Sequence, residues 1–403
     1  MNELPATLSG TSPKPLAGHP QSARPNRRPS TSSPYFFLHP RPATLPPPAA
    51  SVEQYSVMGR FLTALILSAM TLPTPSSAAF RASTKTIDGI PVVSLADDTR
   101  GMEVLIAPSL GMNSYSFKIH GREVFWAPFT SPANTQGASM YGNPLLWPWA
   151  NRIDGMTYTF EGRKYHLNPD LGNVRPGPAN TPIHGLLVRE KRWRLAPPSA
   201  TATAASVTAS FDFHAYPELA AQFPFAHTIE MTYRLSDGAL EIETTIHNRS
   251  AAAMPVSLGY HPYFKMAGIP RDQWTVDLPA STRYQLTDRL VPNGTTEPNP
   301  YPARIALKDT LLDDVFGGLK RDPDGYARIT VRAGEQSLAI EYGRGYEVAV
   351  VYAPKGRDFL CVEPMTAITN AFNAAAAGWY KGLPTIPAGQ TWSATYRIRP
   401  TGF

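Results

Sequence analysis

Only one cysteine, Cys361, stands in the 403 residues, so the chain can close no disulfide on itself and holds no cysteine-rich zinc site. A large domain buries enough apolar surface to fold without cross-links, so this scarcity does not exclude export. Charged residues are sparse at 17%, while 29 glycines and 42 prolines interrupt the chain. Both interrupt helices and mark turns, which suits a loop-rich β protein better than a helical bundle. No stretch offers a long amphipathic helix, and residues 374–377 are helix-friendly but too few to stand alone. A βαβ rhythm, an internal repeat and a phosphate-cradling glycine motif are also missing. The formal charge of +6 does not point to nucleic acid. About two-thirds of it lies before residue 80, carried by Lys14, Arg24, Arg27, Arg28, Arg41 and Arg60 against Glu3 and Glu53, and the remainder of the chain is only weakly basic.

The first eighty residues divide in two. Residues 1–57 hold about a dozen prolines with many serines and threonines, a composition for disorder. Met58-Gly59-Arg60 then opens an apolar run over residues 61–72, followed by small residues up to Ala79. A short basic start, an apolar stretch too brief to span a bilayer and a small-residue cleavage site make residues 58–79 a signal peptide. Such a segment belongs at an N-terminus, so residues 1–57 are expected to come from a misassigned upstream start. The mature protein is expected to be periplasmic or secreted, with no stable membrane anchor.

From about residue 86 to 400, period-2 alternation recurs. Leu240, Ile242, Thr244 and Ile246 alternate with Glu241, Glu243, Thr245 and His247, and Trp392, Ala394, Tyr396 and Ile398 with Ser393, Thr395, Arg397 and Arg399. Turn signals such as Ser236-Asp237-Gly238 and Pro387-Ala388-Gly389 separate the runs. The expected architecture is all-β: one large antiparallel β-sandwich with few short helices, its sites on a concave face or in loops.

Four segments set polar side chains among aromatics and prolines. They are Asn143-Pro144-Leu145-Leu146-Trp147-Pro148-Trp149-Ala150-Asn151-Arg152-Ile153, Thr181-Pro182-Ile183-His184-Gly185, Gly259-Tyr260-His261-Pro262-Tyr263-Phe264 and Cys361-Val362-Glu363-Pro364-Met365-Thr366. Each alone is ambiguous, because a histidine beside proline commonly serves a turn and a glutamate at a strand end is commonly solvated. Their order and separation resemble the aldose 1-epimerases, and the Leu312-Asp313-Asp314-Val315-Phe316 stretch resembles that family's sugar-binding aspartate segment. The resemblance covers roughly residues 88–400 and implies a galactose mutarotase-like supersandwich. It also implies interconversion of the α and β anomers of free aldohexoses, with no cofactor or metal and a small-molecule sugar as partner.

The chemistry fits these residue types. Ring opening needs a base to take the C1 hydroxyl proton and an acid to protonate the ring oxygen, after which rotation and reclosure give the other anomer. By resemblance Glu363 is the base and His261 the acid, while Arg152, His184 and Asp313 bind the sugar, joined by Asn151 and Trp147. A protonated His261 would need a neighbouring carboxylate or exposure to the cleft. Asp314 competes with Asp313, since successive strand residues face opposite ways, and the spacing to Phe316 favours Asp313. Trp149 and Tyr263 are alternative stacking surfaces, Tyr263 being the more expected in the core. His227 shares an alternating face with Ile229, Met231, Tyr233 and Leu235 and is expected to be a satisfied core histidine. Cys361 is read as a packing residue near the pocket.

Two rivals remain. A hexose-6-phosphate 1-epimerase would need further arginines, with Arg163 or Arg175 as candidates, and a phosphorylated substrate conflicts with export. A non-catalytic carbohydrate-binding β-sandwich would not need a paired acid and base.

Overall fold

Alternation along the chain becomes strand pairing in the computed structural model, which describes residues 79–135, 137, 138, 140–177 and 181–403. The expected extension over residues 1–57, and all but the last residue of the expected signal peptide, lie outside the described residues. Every paired strand is antiparallel to its neighbour. The larger sheet has ten strands, and His227–Ser236, Ala239–Asn248, Thr391–Thr401 and Gln336–Tyr342 run side by side at its centre. An eight-stranded sheet orders Pro292–Pro298, Ala280–Leu286, Leu312–Leu319, Val348–Ala353, Leu360–Met365, Gly259–Tyr260 and Leu145–Leu146, with Tyr263–Phe264 also pairing on Leu360–Met365. A five-stranded sheet starts at Phe80–Ile87. Among the described residues the α-helices are short, at Pro217–Ala220 and Ala371–Ala376.

The period of two fixes which side chains meet. Ile229, Met231 and Tyr233 from the larger sheet join Leu312, Phe316, Ala349, Val351, Leu360 and Val362 from the eight-stranded sheet in one buried cluster. The intervening residues Val315, Val348, Val350, Cys361 and Met365 face the other way into a second cluster, over which Leu146, Ala150 and Ala371 pack. At its centre, over Val348–Ala353 and Leu360–Met365, the eight-stranded sheet is therefore buried on both faces. Polar groups placed on its outer face are held away from water.

The domain starts earlier than the expected boundary at residue 86. Phe80–Ile87 pairs residue for residue with Ile90–Asp97, and Arg81 holds Asp98 at 2.6 Å. This strand lies at a sheet edge and, apart from Phe80, is intermediate or exposed along its length, so it carries no apolar alternation to be read.

Trp147 is a second correction. Its side chain is 0% exposed, and its indole N–H donates to His227 Nε2 at 2.9 Å. His227 Nδ1 lies 2.6 Å from the Phe225 carbonyl. With Nδ1 protonated, both ring nitrogens are satisfied inside the core, and burial holds the imidazole at a pKa of about 4. Trp147 thus braces a core histidine rather than stacking on a sugar. Trp147→Phe leaves His227 Nε2 without its donor, and urea titration is expected to show a loss of about 1–3 kcal/mol. A loss below about 0.5 kcal/mol, the usual scatter of neutral substitutions, would mean that the indole hydrogen bond does not hold this part of the core.

Candidate active site

The segment after Leu145–Leu146 is zipped to the one containing His184. His184 N–H donates to the Asn151 carbonyl at 2.8 Å, Leu186 N–H to Trp147 O at 2.7 Å and Ile153 N–H to Pro182 O at 2.9 Å. Gly185 makes this approach possible: its φ is +63°, and a Cβ there would sit 2.2 Å from the Trp147 carbonyl oxygen. Asn151 and His184 also hold positive φ, 56° and 65°, a strain that fixes where the two side chains point. The His261 N–H donates to the Pro144 carbonyl at 3.1 Å, which ties the third segment to the first. Gly259 allows that crossing, since a Cβ would lie 2.7 Å from Ala150 Cβ. Glu363 comes from Leu360–Met365, opposite Val350 in register, on the outer face it shares with Cys361 and Met365.

These segments enclose a cavity of about 400 Å³, lined by Asn151, Arg152, His184, His261, Asp313 and Glu363 among others. Six of the expected residues, Asn151, Arg152, His184, His261, Asp313 and Glu363, therefore share one chamber, whereas Trp147 does not line it. Asp313, not Asp314, reaches it; Asp314 faces away and accepts from Arg283 Nη1 at 3.1 Å and Tyr301 Oη at 3.0 Å. At the cavity's base His261 Nε2 lies 3.3 Å from Glu363 Oε1, with the two residues 6% and 2% exposed. Tyr263 stacks on the His261 ring at 4.7 Å and the His184 ring stands nearly perpendicular to it at 5.1 Å. Arg152 Nη1 donates to Asn151 Oδ1 at 2.8 Å. Arg152 Nε, His184 Nδ1, His261 Nδ1 and Glu363 Oε2 are buried with no hydrogen-bond partner among the described residues. Four unmet polar atoms around a cavity of this size leave hydrogen bonds open to a polar ligand.

Burial sets the electrostatics. It raises Glu363 well above the usual carboxylate range, Asp313 pushes the same way, and Arg152 opposes. Burial pulls His261 down to about 3; its own main chain opposes this, while Arg175 and Arg152 add to the fall. The expectation of a protonated His261 is corrected on this point. The neighbouring carboxyl is present at 3.3 Å, but desolvation, with two guanidinium groups adding to it, holds the imidazole down. Burial likewise lowers His184 and raises Asp313.

Sequence reading gave other roles to two wall residues and missed a third. Tyr263, expected in the core more than against a sugar, is buried but also lines the cavity, its ring stacked on His261. Tyr352 was findable: Val350 pairs with Glu363, so Val348, Val350 and Tyr352 must share that glutamate's face. Arg175, weighed only as a phosphate contact, sits in a segment whose composition carries no periodic signal.

The aldose 1-epimerase family profile matches residues 91–399. The uncharacterized protein YihR of Escherichia coli K12 is 25% identical over 237 residues, covering 57% of this chain and 71% of that protein. A galactose mutarotase-like protein from Clostridium acetobutylicum superposes with a TM-score of 0.72 at 21% identity, over 81% of this chain and all of that one. Galactose 1-epimerase from Lactobacillus acidophilus does so with a TM-score of 0.64 at 13% identity, over 81% and 99%. The two structures share the β-sandwich fold, and the profile match places this chain in the aldose 1-epimerase family.

The raised Glu363 carboxyl has a consequence for stability. A native pKa above the unfolded value leaves stability intact below about pH 4.5 and erodes it as pH rises towards the native pKa. Glu363→Gln removes that burden, so thermal unfolding near pH 7 is expected to show a gain of at least about 1 kcal/mol that vanishes near pH 4. Equal stability of the two proteins across that range would show that the carboxyl is not held above its ordinary pKa.

Proposed function

Proceeding from family membership, we propose that the protein interconverts the α and β anomers of free aldohexoses by acid–base ring opening and reclosure. The observation that carries this reading is the 3.3 Å contact between His261 Nε2 and Glu363 Oε1 at the base of a polar, sugar-sized cavity. A binding module has no need of two buried titratable groups in contact, both moved far from their ordinary values.

The pair is best described by the number of protons it holds, since coupled groups titrate together. With one proton it has two forms, carboxylate with imidazolium and carboxylic acid with imidazole. In the first form Glu363 takes the proton of the C1 hydroxyl while His261 gives one to the ring oxygen. The C1–O5 bond breaks, the carbonyl forms, and the pair is left in its neutral form. Rotation about C1–C2 presents the other carbonyl face, and the reverse transfers close the ring as the other anomer. Burial favours the neutral form, which is the form matched to the open-chain sugar. Arg152 offers a rigid donor fork to sugar oxygens, Asp313 accepts from hydroxyls, and His184 donates to the C1 or ring oxygen. The signal peptide read at residues 58–79 supports action on free sugars outside the cytoplasm.

Freshly dissolved α-D-galactose and α-D-glucose followed by polarimetry or proton NMR test the reading. Acceleration over buffer is expected, with Glu363→Gln and His261→Asn each lowering kcat at least ~100-fold, the usual scale for a positioned acid or base. No acceleration with any of several aldoses defeats the proposal, and near-wild-type rates in the variants move the chemistry to other residues. The pH profile is a separate check. Because His261 is lowered and Glu363 raised, kcat/KM is expected to fall on the acid side only well below the ordinary histidine pKa of 6.5. An acid limb near that value would mean that His261 titrates as an exposed imidazole.

A further inference from the structure

A second cavity, of about 660 Å³, is larger than the chamber of the His261–Glu363 pair and shares none of its lining residues. It opens on the outer face of the five-stranded sheet, and one irregularity of register builds it. Leu105 pairs with Ser116 and Ile106 with Ser114, so Tyr115 is an extra residue between the two pairs. In regular pairing Tyr115 would fall on the inner face with Phe117. The bulge turns it outward, into the cluster of Val92, Leu105 and Ala107. Ser116 and Lys118 line the cavity beside it.

Three aromatic side chains wall this cavity. The rings of Tyr115 and Phe129 stand 6.5 Å apart, and Trp126 is pinned by its indole N–H, which donates to Asp358 Oδ1 at 2.8 Å. Trp126 and Phe129 are half-buried, so part of each ring is open. Polar groups stand among them. Glu123 accepts the Phe117 N–H at 2.7 Å and the Ser116 hydroxyl at 3.0 Å, and Lys118 Nζ lies 4.0 Å from its carboxyl. Lys265 adds a second ammonium to the wall. Tyr115 itself is 4% exposed, and its hydroxyl is buried with no hydrogen-bond partner among the described residues. A buried hydroxyl left unpaired is costly, and the cavity beside it is where a partner enters.

The composition of the wall says what that partner is. Lys118 and Lys265 are matched by Glu123 and Asp358, so there is no surplus charge to recruit an anion or a cation. Donors and acceptors are both present, next to flat apolar faces. A neutral pyranose has the complementary pattern: hydroxyls round its rim give and take hydrogen bonds, and its axial C–H groups form faces that lie on aromatic rings. We propose that this cavity is a second, non-catalytic site that holds a neutral pyranoside. One aromatic layer separates it from the catalytic chamber, since Trp126 packs on Tyr263 with ring centres 5.8 Å apart and Tyr263 lines that chamber. The site stands whether or not the chamber interconverts anomers.

Methyl β-D-glucopyranoside and methyl β-D-galactopyranoside are the probes, because a methylated C1 oxygen has no proton to give and neither sugar is turned over. Protein carrying 5-fluorotryptophan is titrated with each and followed by 19F NMR, the Trp126 signal being the one absent from Trp126→Phe. At least one glycoside is expected to move that signal saturably. Phe129→Ala and Lys265→Met are each expected to weaken the binding at least about five-fold, the scale of one lost hydrogen bond. Both should leave anomer exchange of D-glucose within about two-fold of wild type, and Asp313→Asn, in the catalytic chamber, should leave the Trp126 titration unchanged. No shift with either glycoside overturns the site. So does a titration that Phe129→Ala and Lys265→Met leave unaltered, or one that Asp313→Asn weakens as much as they do, since the sugar then lies in the catalytic chamber and Trp126 reports it through Tyr263. If Phe129→Ala fails to fold, Lys265→Met, which keeps the aromatic wall, decides alone. Absence of D-glucose turnover in the wild-type protein defeats the anomer-interconverting reading, and the Trp126 titration still judges the second site.

Discussion

Placing a carboxyl and an imidazole in contact where water cannot reach either is the constraint on which this site depends. In water a glutamate and a histidine are poor partners for moving one proton, because near neutral pH the carboxylate is a weak base and the imidazole is only partly charged. Burial on the outer face of the eight-stranded sheet raises Glu363 and lowers His261 until the neutral pair competes with the charged one. One proton can then pass between the two through a sugar at little net cost, in either direction, as a reversible isomerisation requires.

Most of the surrounding structure serves to hold that contact. Strand pairing fixes Glu363 opposite Val350, while His261 stands on a short segment tied to Pro144 and resting on Tyr263. The zipped segments carrying Asn151, Arg152 and His184 depend on one glycine carbonyl approach, at Gly185, and on the Trp147 ring locked to His227 beneath them. A change in that core contact would move the cavity wall without touching a single cavity side chain. The charge layout is uneven: Arg152 is balanced by Asp313 and Glu363, whereas Arg175 faces no acid.

The sandwich was legible because apolar alternation with a period of two is the direct imprint of strands with distinct faces, and runs such as Leu240, Ile242 and Ile246 carry it plainly. Phe80–Ile87 was not, since an edge strand that is intermediate or exposed beyond Phe80 leaves no such imprint. The residues that line the cavity were legible as short strings, and the alternation rule separated Asp313 from Asp314. Aromatic roles were not. Trp147 and Tyr263 occupy similar sequence surroundings, yet one is sealed in the core and the other forms cavity wall, a difference made by long-range packing. The depressed His261 escaped the sequence for the same reason. A neighbouring carboxylate can be anticipated from motifs, but how completely two groups are desolvated depends on everything packed around them.

The proton count of the buried pair is most directly measured by the 15N chemical shifts of the His261 ring together with the isotope-edited infrared carboxyl stretch of Glu363 near neutral pH. A neutral imidazole beside a protonated carboxyl is the expected result, with both signals absent in His261→Asn and Glu363→Gln respectively. An imidazolium facing a carboxylate would contradict it, because burial would then have failed to bring the neutral form within reach.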